Sequence, residues 1–417
     1  MDGLYATASS MPRPRPKLGG VWVGQIRLGP TAVARSSVGR FVPISGFDPR
    51  TGREYEHWAF VPKPLPRIVS LVAATWTQVA SAEAALGRLD QASQQVPEPA
   101  LLRRPALRRE AQSTSALEGT FAPFEDVLEP DLEDRVQLSL EVHEMLNYVV
   151  AAEEGFHWVE ERPLTSGLVG QLQRVLVRGT PDEHSDTGGV RDRQVIVGPR
   201  DAAVPEARFV PPPDGDEFRA GFEQWIEWVG DPPAELSPVV RGALAHYQFE
   251  TLHPFSDGNG RIGRLLIVLQ FMRDGVLREP ILVVSPWFEA RRREYQDGLL
   301  NLSRTGDWDA WVRFFATGVA ASADDTRDRI EGLLAWRDET LRTVREAGVS
   351  GVAERVAGEL IGAPLLTAPR VAQAHDVSHQ GAMNALRRLA DVGLLREGQR
   401  RGRRTFFADR VIQLLGR

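Results

Sequence analysis

The sequence predicts a mainly α-helical protein, with one short β-hairpin inside its helical part and a small helix-turn-helix module at its C-terminal end. Apolar residues recur at helical spacing over residues 67–179 and again over 218–348. The β-branched run Val195-Ile196-Val197 stands between a Gly-Gly and a Gly-Pro dipeptide, a pattern typical of a hairpin. The last part of the chain differs from both regions in its concentration of arginine.

The composition limits the classes of protein to which the chain can belong. Its 417 residues, 42% of them hydrophobic, suffice for two or three domains that each have a core. The absence of cysteine excludes disulfides, thiolate nucleophiles and thiolate metal sites. No window approaches the roughly 20 apolar residues of a membrane helix, and the proline-punctuated start lacks the apolar region of a secretory signal. We therefore expect a cytoplasmic protein with no membrane partner.

The elements that precede the module can be predicted in order along the chain. Turn signals between short apolar runs predict a small strand-and-loop element over 39–66. Helices follow, and one of them is expected to end at Gly119, because glycine accepts the positive φ of a helix C-cap. The hairpin is predicted over 188–199, and it must pack against the helices because an isolated hairpin is not stable. A long charged helix over roughly 322–348 ends the helical part.

The C-terminal residues predict a winged helix-turn-helix. Residues 370–395 show a helix, tight turn, helix pattern in which Ser378 caps the second helix, and the basic segment 396–410 predicts a β-wing. Ten arginines but only four acidic residues follow position 369, although the whole chain has a net charge of −6. DNA binding and binding of a protein partner are equally compatible with this pattern. The candidate DNA contacts are Ser378, His379 and Gln380 for base edges and Arg387, Arg400, Arg401, Arg403 and Arg404 for phosphates.

The segment "HPFSDGNGRIGR", residues 253–264, concentrates polar side chains directly before an apolar helix. Its glycine-flanked loop brings backbone N–H groups and a helix N-terminus together, an arrangement that binds anions. The glycines allow close approach of the backbone, the asparagine can donate or accept, and the two arginines can bind phosphate oxygens. These features suit a polyphosphate better than a single carboxylate. The candidate nucleotide-binding residues are Gly258, Asn259, Gly260, Arg261 and Arg264.

The same segment contains a metal ligand and a base. Asp257 offers the hard carboxylate oxygens that Mg2+ prefers when it bridges phosphates. His253 is the one group in the segment that can accept a proton near pH 7. A base beside a magnesium-phosphate site indicates transfer from a nucleotide to an acceptor hydroxyl. The segment is not a Walker loop, because the pattern G-x-x-x-x-G-K-[ST] does not occur in the chain.

Residues 253–264 resemble the motif of the Fic family, H-x-F-x-D/E-G-N-G-R-x-x-R, at every defined position. Three other segments are similar to parts of that family: the N-terminal region that includes "EAQSTSALEGT", the flap "GGVRDRQVIVG", and the closing helix "GDWDAWVRFFATGV". The resemblance covers roughly residues 40–330. A winged-helix tail like the one predicted here is present in many such proteins.

The resemblance implies adenylyl transfer from Mg-ATP to a Ser, Thr or Tyr hydroxyl of a target protein and of the enzyme itself. It assigns His253 as the general base, Asp257 as the magnesium ligand between the α- and β-phosphates, and Arg264 as the contact to the γ-phosphate. Residues 258–261 would hold the phosphates. The flap would align the target chain by strand addition. The flap residues concerned are Arg191, Gln194, Val195, Ile196, Val197 and Gly198.

The segment "TSALEG", residues 114–119, resembles the family's inhibitory motif S/T-x-x-x-E-G/N. The resemblance implies that Glu118 pairs with Arg264 and blocks the place of the γ-phosphate. The alternative is that Glu118 is an ordinary residue in the last turn of a helix that Gly119 caps. The complete motif at 253–264 favours inhibition. The candidate inhibitory residues are Thr114, Ser115, Glu118 and Gly119.

Two classes of function stand at this point. The first is an autoinhibited protein adenylyltransferase, and the second is a DNA-binding transcriptional regulator whose core only senses a nucleotide. A pure sensor has no use for a base at position 253, so His253 favours the enzyme. Transfer of UMP or phosphocholine, or the reverse removal of AMP, would use the same loop. A homodimer is a further expectation from the resemblance.

The resemblance also divides the chain into five parts. Residues 1–38 are expected to form a disordered arm and 39–125 an N-terminal region with the inhibitory helix. Residues 126–322 are the expected catalytic core, 323–349 a linker helix, and 350–417 the winged helix-turn-helix.

Overall fold

The computed structural model describes residues 36–48, 52–96, 98–128, 138–199 and 202–416. The predicted disordered arm lies outside these ranges except for its last three residues, and there the prediction extends too far. Val38 is buried, and its carbonyl accepts a hydrogen bond from the backbone N–H of Lys63 at 2.8 Å. The packed part of the chain therefore begins before residue 39.

The predicted strand-and-loop element is an antiparallel hairpin of two strands, β1 (Gly39–Asp48) and β2 (Arg53–Pro62). Phe41 lies opposite Phe60, and their rings make an edge contact with centroids 5.0 Å apart. Because side chains alternate along a strand, Val42 and Ala59 face the other way, toward residues 196–210. The hairpin is thereby packed against the segment that the sequence predicts as the flap.

Helices make up most of the structure between residues 73 and 346. The central pair is formed by two consecutive helices, and the second of them has buried residues on every side, as expected of an apolar helix enclosed by others. The helices are α1 (Ala73–Ser93), α2 (Ala100–Glu118), α3 (Phe124–Leu128), α4 (Leu140–Glu161), α5 (Ser166–Val177), α6 (Asp216–Gly230), α7 (Pro238–Leu252), α8 (Asn259–Arg273), α9 (Ser285–Ala290), α10 (Arg292–Thr305) and α11 (Trp308–Glu346).

Helix α11 is continuous over 39 residues and packs along α1. The predicted boundary between a catalytic core that ends at 322 and a linker helix that begins at 323 falls inside this helix. No proline lies between Trp308 and Glu346, and Gly318 lies inside the helix without ending it, so the helix continues past residue 322. Apolar residues such as Ile330 and Leu333 continue the buried face beyond it.

The C-terminal module, residues 352–416, contains the elements that the sequence predicts. Helices α13 and α14 are joined by a short turn, and Ser378 Oγ accepts a hydrogen bond from the Gly381 N–H at 3.1 Å as the cap of α14. The strand order is β3-β5-β4, so β4 and β5 form the expected wing. The elements are α12 (Val352–Glu359), β3 (Leu365–Leu366), α13 (Ala368–His375), α14 (His379–Asp391), β4 (Arg396–Arg400), β5 (Arg403–Phe407) and α15 (Asp409–Gly416).

The predicted hairpin over 188–199 is not formed within that segment. Val197 pairs instead with Phe209 as an isolated bridge, through hydrogen bonds of 2.9 and 3.1 Å. The backbone N–H of Phe60 in β2 donates to Val210 O at 2.9 Å. The segment around Phe209, which pairs with Val197, is therefore also bonded to the N-terminal hairpin. The pairing partner of Val197 thus lies 12 residues further along the chain, beyond Gly198-Pro199. The local sequence pattern of residues 188–199 gives no information about a partner at this distance.

Among the helices of the described residues, none combines the length and the apolar character that crossing a bilayer requires.

Candidate active site

The motif loop, residues 253–258, connects the central helices α7 and α8. His253 follows the last residue of α7 in a left-handed conformation (φ 52°, ψ 60°), and Gly258 precedes α8 with φ 82°. A positive φ is uncommon for a residue with a side chain and costs about 1–3 kcal/mol unless the surroundings fix it. The backbone of His253 is therefore held in place by its neighbours.

Asn259 braces the motif loop. Its Oδ1 accepts from the Phe255 N–H at 2.9 Å, and its Nδ2 donates to Phe255 O at 2.8 Å. The side chain is buried, and these two bonds use its amide group on both sides. Asn259 therefore positions the loop, and its predicted contact to a nucleotide stays a prediction. Its contribution to an anion site is its backbone N–H in the first turn of α8, where N–H groups lack helical partners.

Arg191 is the second brace, and its prediction as a target-docking residue is wrong. The residue is fully buried, and its guanidinium donates to the carbonyls of His253 (2.9 Å), Arg193 (2.9 Å) and Pro212 (2.7 Å). Its backbone N–H donates to Pro254 O at 2.9 Å. Burial lowers the pKa of Arg191 to about 10, so the group remains charged at neutral pH. Arg191 holds the motif loop and cannot present its side chain to a target.

We expect replacement of Arg191 by methionine to destabilise the fold by about 2–4 kcal/mol, because several buried carbonyls lose their donor. Urea unfolding of the purified protein measures this change. The matched control is Arg193→Met, since the Arg193 side chain is half exposed and lies 3.7 Å from Asp186. A shift for Arg191→Met no larger than the control would contradict the bracing role.

Gln173 is a brace that the sequence did not reveal. From α5 its Nε2 donates to Asp257 O at 3.2 Å, and its Oε1 accepts from the Gly188 N–H at 2.7 Å. The buried amide thus joins the motif loop to the start of the flap segment. A glutamine inside an amphipathic helix gives no local signal of such a contact.

The remaining predicted flap residues lie along a segment that contacts the motif loop through Arg191 and the N-terminal hairpin through Ile196. Gln194 donates to the carbonyls of Val195 and Pro211, and Ile196 packs on the small cluster around Ala59. Val195, Ile196 and Val197 are partly buried, whereas Gly198 is exposed. An extended, partly exposed chain of this kind is compatible with strand addition.

His253 is placed to act as a neutral base. Its Nδ1 lies 3.3 Å from Glu250 O, and an Nδ1–H that donates to this carbonyl leaves Nε2 free to accept a proton. Burial, with the nearby Arg191 charge, lowers the pKa of His253 to about 4. His246, inside α7, is buried among aromatic rings, and its Nε2 lies 2.8 Å from Tyr295 OH, so it has a packing role.

Glu118 and Arg264 form an ion pair across the candidate site. The Arg264 Nη2 donates to Glu118 Oε1 at 2.6 Å, and the same guanidinium donates to Thr114 Oγ1 at 2.7 Å and Thr114 O at 3.0 Å. Burial opposes the charge on Glu118, but Arg264 outweighs this effect and holds the pKa of Glu118 below its usual value. Ser115 is buried, and its hydroxyl is bonded to no other group in the described structure.

The Glu118 carboxylate lies at the N-terminus of α8. A side chain on Gly260 would collide with this carboxylate and would come within 3.0 Å of Arg264 Nη1. Gly119 follows with φ 96°, a conformation that ends α2 and directs Glu118 into the site. The anion site predicted for a phosphate is thus occupied by an acidic side chain of the protein itself.

Arg261 is surrounded by three carboxylates. Its guanidinium lies 2.9 Å from Asp257, 3.6 Å from Glu144 and 3.6 Å from Asp182. Burial and the neighbouring acids raise the pKa of Asp257, although Arg261 counteracts them. Within the described residues no group of three or more His, Asp or Glu has a metal-binding arrangement.

The candidate DNA contacts separate into two groups. Ser378, His379, Gln380 and Arg387 are exposed on α14. Arg400 forms an ion pair with Asp126 of α3, and Arg404 pairs with Glu397 at 3.0 Å within the wing. Arg401 and Arg403 lie on the exposed wing and also make contacts of their own. The exposed end of α14 is compatible with base contacts, whereas the ion pair of Arg400 competes with a phosphate.

The sequence around the site is similar to that of known proteins. Residues 76–157 match the model of the Fic/DOC family N-terminal region, and residues 163–271 match that of the Fic/DOC family. The protein adenylyltransferase Fic of Drosophila virilis is 36% identical over 139 residues, which are 33% of this chain and 25% of that protein. The protein adenylyltransferase fic-1 of Caenorhabditis elegans is 32% identical over 151 residues, 36% of this chain and 26% of that protein. The chain spans about a quarter of the length of these curated relatives.

A solved structure shares the fold. The crystal structure of a Fic family protein from Desulfovibrio desulfuricans G20 superposes with a TM-score of 0.54 and 21% sequence identity. The match covers 83% of this chain and 98% of that one. It extends beyond the 191 residues that the two family models match together.

Proposed function

We propose that this chain, which matches the Fic/DOC family models over residues 76–157 and 163–271, is an autoinhibited protein adenylyltransferase, which moves AMP from Mg-ATP to a Ser, Thr or Tyr hydroxyl of a target protein and of itself. The observation that carries the proposal is the Glu118 carboxylate on Arg264 at the N-terminus of α8. The Glu118 carboxylate occupies a site where the dipole of α8 and the buried Arg264 both favour a negative charge. Such a site is suited to a phosphate once the carboxylate leaves.

The phosphates of ATP would be held by groups that the motif loop has already positioned. The first turn of α8 offers backbone N–H groups, and Gly260 leaves room above them. Arg264 would exchange Glu118 for the γ-phosphate, whereas Arg261 stands beside Asp257. Preorganisation of these groups is the main contribution that a protein makes to phosphoryl-type transfer.

The donor set suits magnesium. The Asp257 side chain is the most open of the three carboxylates around Arg261, with 38% of its surface exposed. Its oxygens, with phosphate oxygens and water, form a hard ligand set of the kind that Mg2+ prefers. Magnesium bound there would neutralise charge on the α- and β-phosphates. Gln173 and Asn259 fix the backbone that carries this carboxylate.

The reaction forms one bond and breaks one. The acceptor hydroxyl oxygen attacks the α-phosphorus, the bond from the α-phosphorus to the pyrophosphate oxygen breaks, and pyrophosphate leaves. The hydroxyl proton passes to Nε2 of His253, which is neutral before the step because burial lowers its pKa. The Nδ1 contact to Glu250 O keeps the ring in the orientation that leaves Nε2 free.

The proposal is tested with the Glu118→Gly protein and two forms of labelled ATP. Label on the α-phosphate should become protein-bound, with a mass increase of one AMP group, whereas label on the γ-phosphate should not. Unlabelled UTP and CDP-choline should fail to compete if ATP is the donor. Transfer of label from the γ-phosphate, or the absence of any AMP adduct, would refute adenylyl transfer. Loss of AMP from a pre-modified protein would instead identify the reverse reaction.

A second candidate function is a nucleotide-responsive DNA-binding regulator, which the exposed N-terminal end of α14 favours. We expect Arg387→Glu to weaken binding to duplex DNA about tenfold, because a phosphate contact is replaced by repulsion. Gel-shift titrations at several salt concentrations measure this effect. The control is Arg313→Glu, which makes the same charge change on the exposed surface of α11. Equal affinities for wild type and Arg387→Glu would exclude this surface as the DNA contact.

A further inference from the structure

The C-terminal module packs against helix α2, the helix that ends in Glu118. Gly362 lies so close to the backbone of Leu101 that a Cβ at this position would stand 2.8 Å from Leu101 O. Leu415 of α15 lines one small apolar cavity together with Leu102 and Pro105 of α2. The first half of α2 is therefore held by residues that are more than 240 positions away in the chain.

The module also contacts the segment that follows Glu118. Arg400 at the end of β4 forms an ion pair with Asp126 in α3, and both side chains are largely buried. Gly416 lies near Phe124, because a Cβ added at Gly416 would stand 3.6 Å from Phe124 Cδ1. Within this region the Arg108 side chain of α2 donates to Leu128 O at 2.7 Å. Helices α2 and α3 thus form one unit that the module touches on both sides of Glu118.

Helix α11 adds a third, indirect connection. Asp325 accepts a hydrogen bond from Arg109 of α2 at 2.9 Å, and it also accepts two from Arg329 at 2.9 and 3.0 Å. Arg329 in turn donates to Leu414 O of α15 at 2.8 Å. A movement of α15 would therefore change the ion pairs that fix the middle of α2.

From these contacts we propose that the C-terminal module regulates the active site by clamping α2 and α3, so that Glu118 stays on Arg264. A helix transmits displacement along its axis, and Glu118 lies between the two places where the module holds this unit. Release of the Arg400–Asp126 pair lowers the occupancy of Arg264 by Glu118 and raises AMP transfer. The inference rests on the proposed function for its activity readout, whereas the clamp itself has an independent structural readout.

The test uses the full chain with Arg400→Glu, Asp126→Arg, and the double variant that restores the pair with reversed charges. Hydrogen–deuterium exchange of peptides within residues 111–128 reports on the clamp, and incorporation of α-labelled ATP reports on activity. Each single variant should show faster exchange and about two- to tenfold higher incorporation, as expected for an ion pair that keeps some contact with solvent. The double variant should return toward wild type. The matched control is Arg388→Glu, an exposed arginine of the same module.

Three outcomes decide the matter. Exchange in residues 111–128 that is unchanged in both single variants would overturn the clamp. Faster exchange without higher incorporation, while Glu118→Gly is active, would overturn its regulatory role. If Glu118→Gly shows no incorporation, the proposed function fails, and the exchange data still decide whether the clamp exists. In the Glu118→Gly background, Arg400→Glu should produce no additional rise, because there is no inhibitory carboxylate left to release.

Discussion

We expect Glu118→Gly to raise the initial rate of AMP incorporation about 10- to 100-fold. Removal of the carboxylate frees Arg264, and a hydrogen bond to a charged group contributes about 1.5–3 kcal/mol, which corresponds to this range of rates. Incorporation of α-labelled ATP into the purified protein measures the effect. Glu118→Gln, which keeps the shape and removes the charge, should give an intermediate rate.

In the absence of nucleotide, Glu118→Gly should have a lower free energy of unfolding than wild type. Arg264 is 1% exposed, and its charge loses the anion that compensates it. ATP with magnesium should therefore raise the thermal midpoint of Glu118→Gly more than that of wild type, because it binds the folded state at the vacated site. The control for the charge change is Glu153→Gln, an exposed residue of α4. A rate equal to wild type, or an ATP-induced shift no larger than in the control, would contradict inhibition by Glu118.

We expect His253→Ala to lower AMP transfer about 10²- to 10⁴-fold in the Glu118→Gly background, because the acceptor hydroxyl loses its general base. ATP affinity, measured by calorimetry, should change little, since the phosphates are held by α8 and its arginines. The matched control is His157→Ala, whose side chain is 80% exposed on α4. Transfer that persists in His253→Ala at the unmutated rate would assign the base to another group.

The pH dependence follows from the environment of His253. Its pKa of about 4 lies below the ordinary value of 6.5, so the unprotonated, active form is already dominant above about pH 5. Between pH 6 and 8 the rate of the Glu118→Gly protein should therefore be nearly constant with respect to this group. A rate that rises with a midpoint near 6.5 would show that the ring is solvated in the working enzyme.

The parts of the site that could be predicted from the sequence are those formed by contiguous residues. The order of residues 253–264 predicts a base, a metal ligand, a glycine-flanked loop and two arginines. The ion pair of Glu118 with Arg264 joins residues 146 positions apart, and only the resemblance to a family with this motif pointed to it. The helices were predictable because apolar spacing is a local signal.

The braces of the site could not be predicted because they depend on tertiary contacts. Arg191 looked like an exposed residue of a hairpin, yet it meets the carbonyls of a loop 62 positions away. Asn259 was predicted only as a nucleotide-binding residue, and its bonds to the buried N–H and C=O groups of Phe255 give it a second role as a brace. In each case the deciding factor is the need to satisfy buried polar backbone groups, and this need arises only when distant segments pack together.

The continuity of α11 determines how this protein can be divided. At about 1.5 Å per residue, its 39 residues form a rod of roughly 58 Å that carries catalytic-core contacts at one end and module contacts at the other. A truncation at residue 322 would cut the rod in mid-helix, remove Ile330 and Leu333, and uncover the part of α2 that lines the same apolar cavity. The helical part and the C-terminal module are thus not separable building blocks, and exchanging the module for another would change the packing of α2 as well.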